Sequence, residues 1–150
     1  MAVTARNFRS LAVAALFCVL TTGARADQAG DLRERVMQVS NAISAANGPD
    51  AMEVFSKSCK DYDKLRRDFT GLADGYQITN EVNFLDDPSE GDEPEMHVHW
   101  TMTLGDAQHT FSIQRAADIT VRFRREKGKW KIVEFAPIDI FDPSAQIPAR

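Results

Sequence analysis

The fold is decided by residues 110–137, TFSIQRAADITVRFRREKGKWKIVEFAP. Apolar and polar residues alternate along the first half, a pattern typical of a strand with one buried and one solvated face. The residues of the apolar parity are Phe111, Ile113, Ala117, Ile119, Val121 and Phe123. Gly128 can adopt the positive φ of a tight turn, so residues 126–129 predict a reversal and residues 130–135 a returning strand. The stretch therefore predicts a long β-hairpin.

The first 26 residues have the pattern of a signal peptide. Arg6 and Arg9 precede an apolar run, and Ala-Arg-Ala at positions 24–26 matches a small-x-small cleavage site. Asp27 would then be the first mature residue. The apolar run is shorter than a membrane span. We expect an exported protein, periplasmic or secreted, with no membrane association after cleavage.

The charge balance argues against two classes of partner. The whole chain of 150 residues has a formal net charge of −4, and loss of the leader with its three arginines lowers it to −7. An acidic domain of this kind is a poor candidate for binding nucleic acid or an anionic membrane. The mature length is enough for one domain with a single core.

Cys59 would be the only cysteine of the mature protein, so no internal disulfide can form. We expect a small buried side chain on a helix. An intermolecular bridge and a reactive thiol are the alternatives, although a thiol nucleophile needs a nearby base that the sequence does not offer.

Two helical regions precede the strands. An apolar stripe at helical spacing predicts a helix over residues 31–46, which Asn-Gly-Pro at 47–49 would end. The stripe consists of Leu32, Val36, Val39 and Ile43. Residues 50–74 predict either one bent helix or two short ones, ended by Gly75.

Residues 76–85 and 96–104 predict two further strands, joined by a loop at 86–95 with six acidic residues and no basic one. We expect a solvated hairpin loop rather than a calcium site, because the spaced acidic pattern of known calcium loops is missing. We expect the domain to span residues 27–141, with a tail at 142–150 that follows Ile138, Ile140 and Phe141 as packing residues.

Helices followed by hairpin-linked strands predict an α+β domain. Two stretches give a resemblance to a known family: YDKLRRDF at 62–69 and ITVRFRREKGKWKIV at 119–133. They resemble the nuclear transport factor 2-like superfamily, also called SnoaL-like, over residues 31–141. The exported branch of that superfamily that this chain is similar to has no assigned function.

The resemblance implies a cone-shaped fold. A strongly curved antiparallel sheet of about four strands would enclose an apolar pocket, with the N-terminal helices packed on its concave face. Members of the superfamily include isomerases, cyclases and dehydratases, and also non-enzymatic binding or dimerisation modules. The fold therefore does not decide between enzyme and binding module.

Enzymes of this superfamily use polar groups that point into the pocket, so we looked for polar residues on the inward parity. Arg115, Asn80 and Tyr76 are the candidates for ligand binding. We expect a β-bulge near residues 114–116 to turn Arg115 outward; otherwise its guanidinium faces the pocket and needs an acid or an anionic ligand. Asn80 either bonds to the backbone where the sheet curves or orients a ligand.

Glu134 is the candidate general base, and its direction depends on the hairpin register. A two-residue turn pairs Val121 with Glu134 and places Glu134 inward. A three-residue turn pairs Val121 with Val133 and places Glu134 outward, which we expect because it buries more apolar area.

His97 and His99 project to the same side of one strand, so they could share a zinc or copper ion. Such a site needs at least one more ligand. Asp118 and Glu81 have the right parity, but their alignment is open. We expect exposed polar residues, no metal and no cofactor.

These observations predict an exported module that binds a small apolar ligand or forms a homodimer through its sheet. A pocket enzyme of the isomerase, dehydratase or cyclase type is the first alternative. The second is an adaptor that binds a partner with the polar face of the sheet, for which the pocket would be filled by side chains.

Overall fold

The computed structural model describes residues 19–145, with side chains described for 27–145. Most of the predicted signal peptide, residues 1–18, and the last five residues of the predicted tail lie outside this part of the chain. Among the described residues, none of the helices combines the length and hydropathy needed to cross a bilayer.

Three helices precede the sheet: α1 (Val19–Ser44), α2 (Gly48–Met52) and α3 (Tyr62–Gly75). The predicted start of α1 at residue 31 is wrong, because no proline interrupts the helix before that point and it extends back to Val19. The predicted stripe is confirmed, since Leu32, Val36, Val39 and Ile43 are all buried.

Residues 50–74 form two helices rather than one bent helix. The amide of Ser56 donates to the carbonyl of Ile132, and the amide of Ile132 donates to the carbonyl of Val54. The backbone groups of residues 54 and 56 therefore form hydrogen bonds with the last strand and not within a helix, which explains why the helix is interrupted there. Cys59 lies in the same break and is buried, as predicted, although it is not on a helix.

Four antiparallel strands follow in sequential order: β1 (Gln77–Phe84), β2 (Glu95–Gly105), β3 (Ser112–Glu126) and β4 (Lys129–Ala136). The inward parity of β2 is completely buried, from Met96 to Leu104. The helices pack on this concave face, as the shared core of helix and strand residues shows. The predicted α+β fold with a curved sheet of four strands is confirmed.

The β3–β4 hairpin resolves the facing of Glu134. Lys127 and Gly128 form a two-residue turn, with φ values of 50° and 78°. Phe123 pairs with Ile132 but Arg122 pairs with Glu134, so Val133 is an extra residue in a β-bulge. Glu134 therefore faces outward as expected, although the bulge and not a three-residue turn is the cause.

The expected bulge near residues 114–116 is wrong. β2 and β3 pair without interruption from Glu95 opposite Arg122 to Gly105 opposite Ser112. The continuous register leaves Arg115 on the inward parity, opposite Met102, and its residue exposure is 4%.

Phe111 and Ile113 were expected in the core, but each is 41% exposed. They lie at the N-terminal end of β3, where the described helices do not cover the concave face. Tyr76 packs edge-on against Phe111, with ring centroids 6.2 Å apart.

The chain after β4 returns into the concave side of the sheet. A 3-10 turn at Asp139–Phe141 follows, and Ile138, Ile140 and Phe141 are buried, as predicted. The ring of Phe141 lies 5.4 Å from Trp100 and 5.6 Å from Phe135, between centroids. We call residues 138–145 the C-terminal segment; its apolar side chains pack inside the concave side of the sheet.

Candidate functional site

Arg115 is bound to the C-terminal segment by three hydrogen bonds. Its Nη1 donates to the carbonyls of Ile140 (3.0 Å) and Asp142 (2.7 Å), and its Nη2 donates to the carbonyl of Ala145 (2.6 Å). Nε is buried and has no partner within the described chain. The guanidinium thus satisfies backbone carbonyls that would otherwise lose water on burial.

Asn80 joins the first two strands to α1. Its Oδ1 accepts a hydrogen bond of 2.8 Å from Trp100 Nε1. Its Nδ2 donates to the hydroxyl of Ser44 (2.9 Å) and to the carbonyl of Ser40 (3.3 Å). The side chain amide therefore connects helix and sheet, and it satisfies the one polar atom of the buried indole.

Tyr76 also contacts the C-terminal segment. Its hydroxyl donates to the carbonyl of Pro143 at 3.4 Å. Pro143 in turn packs against Gly71 of α3, where a Cβ would lie 2.8 Å from Pro143 Cγ. The absence of a side chain at Gly71 is what allows this close approach.

All three candidate pocket residues thus contact protein groups. Arg115 and Tyr76 hold the same segment, and Asn80 holds the indole of Trp100 against which that segment packs. The sequence did not indicate this arrangement, because the acceptors are backbone carbonyls in a stretch with little pattern, 25–30 residues from Arg115 and 67 residues from Tyr76. Their role in ligand binding stays a prediction.

Glu134 belongs to the outward face, which consists of the outward-pointing residues of the four strands. Its carboxylate accepts an ion-pair hydrogen bond of 2.5 Å from Arg122 Nη2. Glu134 therefore does not face the interior of the cone, as a general base there would have to. The outward face includes Glu81, Asn83, His97, His99, Thr101, Asp118, Thr120, Arg122, Arg124 and Glu134.

The two histidines of the outward face bind aspartates. His97 Nδ1 lies 2.6 Å from Asp86, which also accepts from the His97 amide at 2.7 Å. His99 Nδ1 lies 2.6 Å from Asp118 on the adjacent strand. The hydrogen bond to Asp86 raises the pKa of His97. Within the described chain, no group of three metal-ligating side chains comes together.

The acidic loop between β1 and β2 pairs with the arginines of the hairpin. Arg124 Nε lies 2.6 Å from Glu93, and Arg122 Nε lies 3.3 Å from Glu95. The loop therefore folds over one end of the outward face, where Glu93 and Glu95 are paired within the chain. The opposite charge of the two stretches is the sequence signal for this contact.

Comparison with known proteins gives similarity in structure but not in sequence. No protein-family model matches the chain, and no curated protein matches it. A conserved protein from Planctomyces limnophilus superposes with a TM-score of 0.66 at 12% identity, covering 75% of this chain and 94% of that one.

Two similar structures have provisional enzyme names. A provisionally assigned scytalone dehydratase from Novosphingobium aromaticivorans has a TM-score of 0.66 at 10% identity, covering 76% of this chain and 85% of that one. A provisionally assigned dehydratase of the NTF2-like family from Streptomyces avermitilis has a TM-score of 0.59 at 10% identity, with coverages of 73% and 94%.

Identities this low establish the fold and leave the activity open. The order of helices and strands, the curved four-stranded sheet and these superpositions agree with the resemblance found in the sequence. We conclude that this chain has the fold of the nuclear transport factor 2-like, or SnoaL-like, superfamily.

Proposed function

We propose that this protein is an exported, non-enzymatic dimerisation module in which the outward face of the sheet meets the same face of a second copy. The observation that carries this proposal is the contrast between a filled concave side and an outward face that no other described element of the chain covers beyond the acidic loop. A surface that binds its own copy is expected to contain both partners of each interaction, as an isologous contact requires.

The size of the outward face supports the proposal. Four strands with a spacing of about 4.8 Å, each roughly ten residues long at about 3.3 Å per residue, give an area on the order of 600 Å². A standard interface buries about 800 Å² per partner, and crystal contacts usually bury less than half of that. The face is therefore close to the size that a stable dimer needs.

The composition of the face also supports it. Strands β1, β2 and β3 contain no lysine, and their outward positions carry threonine, histidine, arginine and acidic residues. The lysines of the face, Lys129 and Lys131, lie at its β4 edge, opposite Glu126 and Arg124. Interfaces are depleted in lysine and enriched in arginine. The hydrogen bond between His99 and Asp118 and the ion pair between Arg122 and Glu134 restrict the rotamers of these side chains. Less conformational entropy is then lost when a second copy binds.

An enzyme of the isomerase, dehydratase or cyclase type is the alternative, and its support is the fold shared with two proteins provisionally named dehydratases. The geometry supports it less well. Inside the cone, the guanidinium of Arg115 is occupied by three carbonyls, and Glu134 points away. A small apolar ligand would likewise have to share the interior with the C-terminal segment.

Native mass spectrometry of the protein purified from the periplasm after expression with its own leader tests the proposal. We expect a mass that begins at Asp27 and a dimer at micromolar concentration. Thr101→Arg places a bulky charge in the middle of the outward face and should give a monomer. Thr70→Arg, on the exposed side of α3, is the matched control and should remain dimeric.

Four results would count against the proposal. A wild-type monomer at tens of micromolar would reject the dimer, and a dimeric Thr101→Arg variant would reject this face as the interface. Additional mass that persists under gentle conditions would show a retained ligand and favour the binding or enzyme alternatives. A monomer that captures a different protein would favour the adaptor.

A further inference from the structure

A groove of about 810 Å³ lies at the edge of β4, between the loop that follows α2 and the β3–β4 turn. Its volume falls within the range of about 300–1,000 Å³ that is usual for small-molecule sites. The groove is separate from the interior of the cone, and neither Arg115 nor the C-terminal segment lines it.

The rim of the groove carries four lysines from two distant parts of the sequence. Lys57 comes from the loop after α2, and Lys127, Lys129 and Lys131 come from the hairpin. The backbone bonds between residues 54–56 and β4 hold these two parts together. Three of the lysines belong to the basic stretch at 122–131, and the fold adds Lys57 from a distant part of the chain.

Three of these lysines have no ion-pair partner among the described residues. Lys57, Lys127 and Lys129 are exposed, and none of them forms an ion pair with the described residues. The arginines of the neighbouring outward face differ, because Arg122 and Arg124 are paired with glutamates. Unpaired cations around a concavity raise the local concentration of anions, even on a protein with a negative net charge.

The two acidic residues of the lining do not cancel this charge. Four lysines and two glutamates leave the lining with a net charge of +2. Glu126 already accepts a hydrogen bond of 2.5 Å from the hydroxyl of Ser56. Lys131 is held in place by its bond to the backbone carbonyl of Glu53, so its ammonium group has a fixed position on the rim.

The floor of the groove includes four apolar or aromatic lining residues, Pro49 and Met52 of α2, Phe55 and Tyr62. Met52 and Phe55 are only 5% and 3% exposed, so Pro49 and the ring of Tyr62 provide most of the accessible apolar surface. Covering apolar surface in a concavity with an apolar body removes it from water, which favours binding. A basic rim above such a floor matches a molecule with two parts, an acidic head and an aromatic or aliphatic body.

We propose that this groove binds an amphipathic anion, a carboxylate, sulfonate or phosphate attached to an aromatic or aliphatic body. The lysines contact the acidic head, and Pro49 and the ring of Tyr62 contact the body. A free small molecule and a lipid headgroup share this chemistry. The groove borders the outward face at its β4 edge, where Lys131 lies opposite Arg124.

Isothermal titration calorimetry with naphthalene-2-sulfonate tests this site. We expect saturable binding that weakens as salt is added, because screening reduces the attraction between exposed charges. The double variant Lys57→Glu with Lys129→Glu should bind about tenfold more weakly, as expected when charge-assisted contacts become repulsive. The neutral naphthalene-2-sulfonamide should bind the wild type more weakly than the sulfonate does.

The matched control is Arg35→Glu with Arg67→Glu, which makes the same change in net charge at positions on α1 and α3 that do not line the groove. It should bind the sulfonate within about twofold of the wild type, since the changed charges do not contact the ligand and salt screens exposed charges. Equal weakening in both double variants would reduce the effect to net charge and overturn the proposal. Absence of saturable binding to the wild type would also overturn it.

Two further measurements locate the site and identify the source of the anion. In an amide NMR titration, the signals of Ser58, Gly128 and Lys129 should shift; shifts confined to other residues would overturn the proposal. Vesicles containing phosphatidylglycerol then distinguish a membrane lipid from a free ligand. Co-sedimentation that the groove variant loses and the control keeps would assign a lipid headgroup, and no co-sedimentation together with sulfonate binding would assign a free anion.

Discussion

The two faces of the sheet differ in how they pair an arginine side chain. On the concave face, Arg115 is the one buried cation among the described residues, and it is satisfied by neutral carbonyls of the C-terminal segment. On the outward face, the cation Arg122 is paired with the carboxylates of Glu95 and Glu134. One arrangement closes the interior, and the other leaves charged groups at the surface.

The difference shows which face is available to a partner. A buried cation that is bound to backbone carbonyls cannot be removed without exposing those carbonyls or burying them unpaired, which is costly. An exposed ion pair contributes little to stability, usually less than about 1 kcal/mol. Substitutions on the outward face should therefore affect association, whereas substitutions on the concave face should affect folding.

The largest effect should come from the aromatic cluster of the concave face. Phe141→Ala removes a fully buried ring that packs against Trp100, Phe135 and Phe69. We expect a loss of about 3–5 kcal/mol in the free energy of unfolding, measured by urea denaturation, because the ring leaves a cavity.

The matched control is Phe111→Ala, because Phe111 is 41% exposed at the uncovered end of β3. Its free energy of unfolding should fall by roughly 1 kcal/mol, since the Phe111 ring buries much less apolar surface than the Phe141 ring. Similar losses for the two variants would show that the C-terminal segment is not part of the core, and the comparison between the faces would fail.

Arg115→Met should have an intermediate effect. The change keeps an inward side chain of similar length but leaves the carbonyls of Ile140, Asp142 and Ala145 without their donors. We expect the free energy of unfolding to fall by about 2–3 kcal/mol. Water can hydrate the half-exposed carbonyls of Asp142 and Ala145 in place of the guanidinium, but not the buried carbonyl of Ile140. Thermal and urea unfolding both report this loss of stability.

Arg124→Met is the control from the outward face, where the side chain forms an exposed ion pair with Glu93. Its effect should stay below about 1 kcal/mol. If Arg115→Met were neutral or stabilising, the guanidinium would not be holding the C-terminal segment. An anion-binding role for Arg115 would then regain support, provided that the variant also lost a bound ligand.

Much of the fold could be predicted because local patterns determine it. Period-two alternation identified the buried parity of β2 and the second half of β3, and the helical stripe from Leu32 to Ile43 identified the buried side of α1. The facing of Glu134 was also predicted, but for the wrong reason. The position of a β-bulge depends on long-range packing, so the sequence does not show that it lies at Val133 and not beside Arg115.

The site could be predicted only in part. The sequence identified Arg115, Asn80 and Tyr76 as polar residues on the inward parity, but it also predicted a bulge that would turn Arg115 outward, and it did not show their acceptors. Backbone carbonyls have no side-chain signature, so contacts with residues 140–145 are invisible in the sequence. The lysine groove was missed for a similar reason, since Lys57 approaches the hairpin only when residues 54–56 pair with β4.

The smallest effect concerns His97, and it tests whether the outward charges act as pairs. The hydrogen bond to Asp86 raises the pKa of His97. Burial alone would raise the pKa of Asp86, but the hydrogen bonds from the amide and ring of His97 lower it overall. The pair therefore stabilises the folded protein between these two pKa values, and this contribution is lost when pH rises above the first or falls below the second.

Asp86→Asn should lower the pKa of His97, measured by NMR titration of its ring proton, because the replacement amide carries no charge. Asp87→Asn is the control, since the neighbouring carboxylate pairs with Arg33 and not with the histidine. It should leave the His97 titration where it is in the wild type. Equal shifts in both variants would mean that His97 responds to the total charge of the acidic loop. The charges of the outward face would then act through their sum and not as specific pairs. Its side chains would not be preorganised for binding a second copy.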